Sequence, residues 1–283
     1  QQRLAYLLAH ASAAQARIAM LDGDRLTFAD EALALFGVRP ELNPLTDFDP
    51  VMARIEALVP GEEPLAERVA KFRERYTIPP VRLDAVMQAA IAECQARTSN
   101  RIALPANERF TLEFVTGKPW SGYNYYQGHA HSLIQINTDL PIQISRALDL
   151  GCHEGYPGHH VYNTLLEQTF VEGRGWVEMS IFPLYSPMAL IAEGSANYGI
   201  DLAFPGGERA VFEKQVLYPL AGLDPAMADA LIVLQEQLRQ LAGAEYTIAD
   251  DYLGGRLTRS EATTLLQTYN LTTHERAEQR LQA

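Results

Sequence analysis

The segment His153-Glu154-Gly155-Tyr156-Pro157-Gly158-His159-His160 most constrains what this chain can fold into. It holds three of the seven histidines and a carboxylate within eight residues, together with a residue that a regular helix interior rejects. Where a zinc site rides on one helix, two histidines stand at i and i+4 on one face, with a glutamate beside the first. Here position i+4 is Pro157, which cannot bind metal and has no backbone N–H. If His153 is a ligand, the second imidazole must be His159 or His160, at i+6 or i+7. In an unbroken helix His159 would point about 240° away from His153, and His160 would lie about 10 Å further along the axis. Gly155, Pro157 and Gly158 predict instead an irregular turn or bulge that brings the rings together. His159 is preferred, because Gly158-His159 looks like the end of an ordinary zinc-protease helix with two residues inserted. His160 stays the alternative, and is otherwise expected beside the ligands or against the following helix.

Neutral imidazole is the commonest zinc ligand, and a catalytic zinc usually has three protein ligands and a water. Forty residues past His153, Ile191-Ala192-Glu193-Gly194-Ser195-Ala196-Asn197-Tyr198 sets a glutamate in an apolar, helix-like pattern. The small Gly194 and Ala196 would let that helix approach a metal. This favours Glu193 over Glu167, Glu172 and Glu178, which read more simply as solvated carboxylates. Glu154 is then left beside the first ligand as a general base. Zinc lowers the pKa of its bound water toward ~7 and polarises a carbonyl, and Glu154 would carry the proton to the leaving amine. A donor for the oxyanion is also needed. Tyr198 and Tyr246 are candidates, with Tyr156, the cluster Tyr123, Tyr125 and Tyr126, and His129 and His131. A structural zinc is a weaker rival, since such sites are usually cysteine-rich. Only Cys94 and Cys152 are present, and Cys152 reads as a small buried hydrophobe.

His-Glu-x-x-Pro-Gly-His-His followed by Glu-Gly-x-Ala resembles the bacterial proteins grouped as domain-of-unknown-function family 885. The resemblance extends to Pro119-Trp120-Ser121-Gly122-Tyr123-Asn124, Ile136-Asn137-Thr138-Asp139-Leu140-Pro141 and Gly175-Trp176-Val177-Glu178, so it spans roughly residues 105–280. It implies a mostly helical, zinc-metallopeptidase-like protein, distantly similar to carboxypeptidase Taq. Carried over by position, it implies metal ligands His153, His159 and Glu193 and a general base at Glu154. Family members commonly run Glu-Gly-Trp-Ala with a tyrosine and a further acid. Here Ser195 and Ile200 stand, and Tyr198 is retained.

Composition agrees with an enzyme. At 283 residues the chain can bury a large core, expected as a helical region 1–104 and a zinc-site region 105–283 packed intimately together. No run approaches the ~18 apolar residues of a membrane span. A net charge of −12 argues against nucleic acid and against an anionic membrane surface. Two cysteines leave the compartment open between cytoplasm and export after removal of an N-terminal segment. The sequence starts at Gln1, and the pattern Glu275–Leu281 is still helical where it stops, so further chain is expected.

The pattern is mainly helical. Helices are predicted over 2–21, over 28–36 with Gly37 as C-cap, and over 62–76 and 80–98, punctuated by Pro79-Pro80. Segments 110–115 and 132–137 alternate apolar and polar residues like half-buried strands. Helices return from 141, and one running from Pro187 to Pro205-Gly206-Gly207 carries Glu193. The expected fold is mainly α with a small antiparallel β-sheet next to the zinc site. The expected activity is that of a zinc-dependent metallopeptidase, carboxypeptidase- or oligopeptidase-like, acting on a peptide or small amide. The alternatives are a zinc hydrolase of a non-peptide amide or ester, and a metal-retaining binding module without catalysis. Glu154 speaks against the last, because a merely structural site has no use for that carboxylate.

Overall fold

Helices dominate the chain, and most of them begin and end where the sequence is punctuated. The structure, a computed structural model, describes residues 1–281. Five helices come first: α1 (Gln2–Leu21), α2 (Phe28–Phe36), α3 (Asp49–Leu58), α4 (Leu65–Glu74) and α5 (Pro80–Ser99). Three strands follow, β1 (Arg109–Val115), β2 (Gly122–Gly128) and β3 (His131–Asn137). The helices then resume as α6 (Ile144–Leu150), α7 (His159–Leu166), α8 (Pro187–Ala203), α9 (Glu208–Phe212), α10 (Tyr218–Ala221), α11 (Ala228–Gln240), α12 (Ala244–Leu253), α13 (Arg259–Tyr269) and α14 (His274–Arg280). The local causes are readable. The Thr27 hydroxyl accepts the Asp30 N–H at the start of α2, and Gly37 ends that helix at φ 77°, a left-handed conformation that glycine adopts cheaply. Pro80 opens α5, where a missing N–H costs nothing. Thr258 and Glu261 form a reciprocal capping box on α13. No helix among the described residues is long and apolar enough to cross a membrane.

The chain gathers into two compact units. One comprises Gln1–Arg75, Leu184–Pro187 and the chain from Asp229 on; the other comprises Tyr76–Pro183 and Met188–Ala228. In the first, α3, α4, α11 and α12 bury Phe48, Val51, Ile55, Val69, Leu234, Leu241 and Ala244 in one core. The buried Arg68 is tolerated there because its guanidinium donates to the Val59 carbonyl at 2.8 Å and to Glu56 at 2.9 Å. A smaller cluster of Ile248, Ala262, Leu266 and Ala277 ties together α12, α13 and α14.

The second unit holds the sheet. Its strand order is β1-β3-β2, with β3 central, parallel to β1 and antiparallel to β2. The expectation of a mainly α fold with a small sheet holds, but the sheet is mixed rather than antiparallel. The two segments that alternate in sequence do pair with each other, in parallel. An intervening strand, β2, takes the antiparallel position. It escapes the alternation pattern because Gly122-Tyr-Asn-Tyr-Tyr-Gln-Gly128 has glycine at both ends and adjacent tyrosines. The central strand shows the period of two most clearly, burying Ser132, Ile134 and Ile136 on one face.

Candidate metal centre

Residues 144–155 form one continuous helical rod that changes pitch at its end. After α6 the chain widens into a π-helical turn over Gly151–Gly155, where the Tyr156 N–H reaches back to the Gly151 carbonyl at 3.3 Å. The turn is fixed from three sides. Gly151 lies flat against α5, with its absent Cβ position 3.3 Å from the Ile91 backbone nitrogen. Cys152 is joined to Cys94 of α5 by a disulfide, Cα to Cα 5.5 Å. Upstream, the Arg209 guanidinium holds the Ser145 carbonyl at 3.1 Å, Asp149 at 2.7 Å and Glu213 at 2.9 Å. The reading of Cys152 as only a small buried hydrophobe is therefore corrected. It is fully buried, but bonded to a cysteine 58 residues away, a pairing that spacing alone does not reveal.

The chain then breaks. Tyr156 is extended, the Tyr156–Pro157 peptide is cis, and α7 starts at His159. Gly158 makes this break possible. Its N–H bonds the Cys152 carbonyl at 2.9 Å, and a Cβ on it would sit 1.8 Å from the His153 carbonyl oxygen, so no side chain fits. On α8, Gly199 plays the matching part, since a Cβ there would meet the Pro157 ring at 2.9 Å. The helix carrying Glu193 can thus press against the proline.

This irregular turn brings His153 and His159 together, with ring centroids 4.7 Å apart and planes at 88°. His153 Nε2 lies 3.3 Å from one Glu193 oxygen and His159 Nε2 lies 3.2 Å from the other. One ligand atom from each of the three residues falls within 4.8 Å of the others. The donor set fits a zinc ion chemically: two imidazoles and one carboxylate, converging and half-buried or exposed. It also has an orienting partner, since His153 Nδ1 lies 3.1 Å from Asn197 Oδ1, which directs Nε2 toward Glu193, the side on which a metal would be bound. The electrostatics match. Hydrogen bonds from His153 and His159 hold the Glu193 carboxyl far below the usual carboxylate range. Burial works to lower the His153 imidazole, but Glu193 and the Glu154 charge outweigh it and leave it raised.

Glu154 is 5 % exposed, and burial pushes its carboxyl up against the opposing charges of His153 and His159. Its backbone carbonyl accepts the Asn124 amide of β2 at 2.7 Å, so the sheet stands next to the site as expected. Gly122 of the same strand lies beside the carboxylate, and a Cβ there would come within 2.9 Å of Glu154 Oε1.

His160 turns the other way. Fully buried, it shares Nδ1 with the Ser132 hydroxyl at 2.8 Å, and Nε2 lies 2.9 Å from Glu108. Glu108 also accepts the Tyr156 hydroxyl, at 2.5 Å, and the Gln95 amide, at 2.6 Å. This buried network fastens the break in the octapeptide to α5 and the sheet. It does not engage Glu193. Burial lowers the His160 imidazole despite the Glu108 charge. Glu108 went unnoticed in the sequence because it sits in a loop 52 residues from its histidine, with no pattern to mark it.

The tyrosines scatter. Tyr198 is on α8, one turn past Glu193, and largely exposed. Tyr246 is half-exposed on α12, in the other unit. Tyr123 packs between Trp120 and Tyr125, with tilted rings and centroids at 5.6 and 4.4 Å, and the pKa of its hydroxyl is raised by burial, by Tyr125 and by the charges of Glu154 and Glu193. A second group, His129, Glu167 and Glu172, also brings ligand atoms within 4.8 Å of one another.

No protein-family model matches the sequence, and no curated protein matches it. A crystal structure of a protein described as a candidate lipoprotein from Colwellia psychrerythraea is similar, at a TM-score of 0.60 and 17% identity, over 90% of this chain and 44% of that one. At that identity the likeness concerns the fold, and the chain spans less than half the length of the protein it matches.

Proposed function

We propose that the chain is a zinc-dependent peptidase. The observation that carries this reading is the meeting of His153, His159 and Glu193 beside the buried carboxylate of Glu154. Zinc held by those three residues would supply a Lewis acid and a water that ionises near neutral pH. Glu154 would serve as the general base and then the acid toward the leaving amine; burial, which raises its affinity for protons, suits both halves of the task. Tyr123, aligned by its aromatic neighbours and sensing the charges of both glutamates, is the tyrosine best placed to steady a developing oxyanion. The resemblance of the octapeptide to family 885 supports the same assignment. The buried Cys94–Cys152 disulfide favours an oxidising compartment outside the cytoplasm.

The test is zinc content together with cleavage of a mixed peptide pool. The expected result is about one equivalent of zinc, removable by chelator, because a site with three protein ligands needs no second metal. Glu154→Gln should keep the metal and lose about 10²- to 10⁴-fold in rate, since it preserves shape but cannot take the proton. A Glu154→Gln variant as active as wild type would pass the base to another carboxylate. Cleavage of small esters or non-peptide amides with no peptide cleaved would move the assignment to that class of hydrolase.

A further inference from the structure

We propose that Arg146 anchors a carboxylate of the substrate beside the metal centre. The inference rests on the peptidase reading and specifies its substrate class: peptides with a free C-terminal carboxylate or an acidic side chain next to the cleaved bond.

The surroundings favour such an anchor. The chain carries 35 acidic against 23 basic side chains, and Glu154 and Glu193 both stand at the site. A second cation beside the metal would steer an anionic substrate group into a site whose chain is otherwise acidic. Arg146 is that cation. It lies on α6, upstream in the rod that carries His153 and Glu154. Its guanidinium touches the Ser121 hydroxyl at 3.4 Å. The next residue, Gly122, has its bare side against Glu154 Oε1 and Leu150. The arginine and the general base therefore flank a single step of the chain, about 3.8 Å from Cα to Cα.

Arg146 also has donors to spare. Its ion-pair partner, Asp149, is 3.5 Å away, and the other oxygen of that carboxylate is held at 2.7 Å by the more buried Arg209. The Arg146 side chain is 39% exposed. A guanidinium presents five N–H groups in a planar fork that suits a carboxylate bidentately. An extended peptide advances at most about 3.6 Å per residue, and the carboxylate assigned to this side chain lies one or two residues beyond the cleaved bond. Gly122 packs so closely on Leu150 and Glu154 that no side chain fits between the arginine's strand contact and the general base.

The zinc-loaded full chain should be assayed on acetyl-Ala-Phe as the free acid, acetyl-Ala-Phe amide and acetyl-Ala-Glu amide. A charge-assisted pair predicts a preference of about 10- to 100-fold in kcat/KM for a carboxylate-bearing substrate over the neutral amide. Preference for the free acid alone assigns the anchor to the C-terminal carboxylate, and preference for the glutamyl amide assigns it to an acidic side chain. In either case Arg146→Met should bring the favoured substrate down to the level of the neutral amide, mainly through KM. Arg146→Lys, which keeps the charge but not the fork, should restore part of the difference. A preference that survives Arg146→Met, or none in the wild type, overturns the proposal while leaving the peptidase reading intact. If no peptide is cleaved, that reading fails, and calorimetry with acetyl-phenylalanine and its amide still decides about the anchor. Tighter binding of the acid, lost in Arg146→Met, upholds it, and equal binding of acid and amide refutes it.

Discussion

Two triads of ligand-type residues in the second unit, His153-His159-Glu193 and His129-Glu167-Glu172, bring their ligand atoms within 4.8 Å of one another, and they differ in almost everything except that proximity. At His153, His159 and Glu193, two imidazoles turn their Nε2 atoms toward one carboxylate, one ring to each oxygen. The segment beneath them is held by a disulfide, by the close contact of Gly151 with α5 and by the buried Glu108–His160 network. At His129, Glu167 and Glu172 a single imidazole stands exposed on the β2–β3 turn, at φ 54°. The Glu167 carboxylate is already engaged by the Tyr126 hydroxyl and, at 3.4 Å, by the Ala130 N–H. Closeness of ligand-type residues is thus a weak criterion. Convergence of two imidazoles on one carboxylate, over a backbone that cannot relax away, is a strong one.

Removing a ligand tests this contrast most severely. His153→Ala, His159→Ala or Glu193→Ala should each cost orders of magnitude in zinc affinity, measured by equilibrium dialysis and elemental analysis, whereas His129→Ala should leave the stoichiometry unchanged. The reverse pattern would exchange the roles of the two clusters.

The backbone support comes next. Replacing both Cys94 and Cys152 by alanine opens a link across 58 residues, which is worth about 4 kcal/mol in chain entropy. Urea unfolding should show that loss, and zinc should bind more weakly because the turn below His153 is freed. Unaltered zinc affinity in the destabilised variant would mean that packing on α5 suffices to hold the turn.

His160→Ala sharpens the comparison within the octapeptide. It should retain stoichiometric zinc yet lose about 1–3 kcal/mol of stability, since the nearly buried Glu108 carboxylate is deprived of a donor. Thermal melting with parallel metal analysis checks both halves, and an empty site in a well-folded variant would show His160 to be a ligand after all.

The smallest effect belongs to the second cluster. Burial, with Glu167, pushes the Tyr126 hydroxyl from 10.0 up to about 12. A phenol that holds its proton more tightly when folded contributes stability that is intact below the unfolded value and is lost as pH climbs through the folded one. The window runs from about pH 10 to about pH 12. Tyr126→Phe should flatten that part of the stability profile at a cost of about 1 kcal/mol at neutral pH, where the hydroxyl's bond to Glu167 is gone. A slope that survives the substitution would point to another group.

What the sequence by itself determined is local. Gly37 ends α2, Pro79-Pro80 separates α4 from α5, and the apolar frame from Pro187 onward becomes α8 with Glu193 upon it. Pro157 at i+4, between Gly155 and Gly158, already excludes a straight zinc-binding helix and demands a break. Such features act through the dihedral preferences of a few adjacent residues, so a reader of the chain can find them. Only the tertiary structure decided which imidazole meets Glu193. A π-turn, a cis peptide and a new helix start lie between His153 and His160, and the direction of each ring depends on rotations smaller than one helical turn. Those rotations are set by contacts remote in sequence: Gly151 on α5, Gly158 on the His153 carbonyl, Gly199 on Pro157 and Glu108 on His160. The same holds for the pairing of β1 with β3, for the Cys94–Cys152 bond and for Arg146 against Ser121. Sequence spacing carries periodicity and punctuation, but the partner of a side chain is chosen by packing, which no stretch of the chain encodes alone.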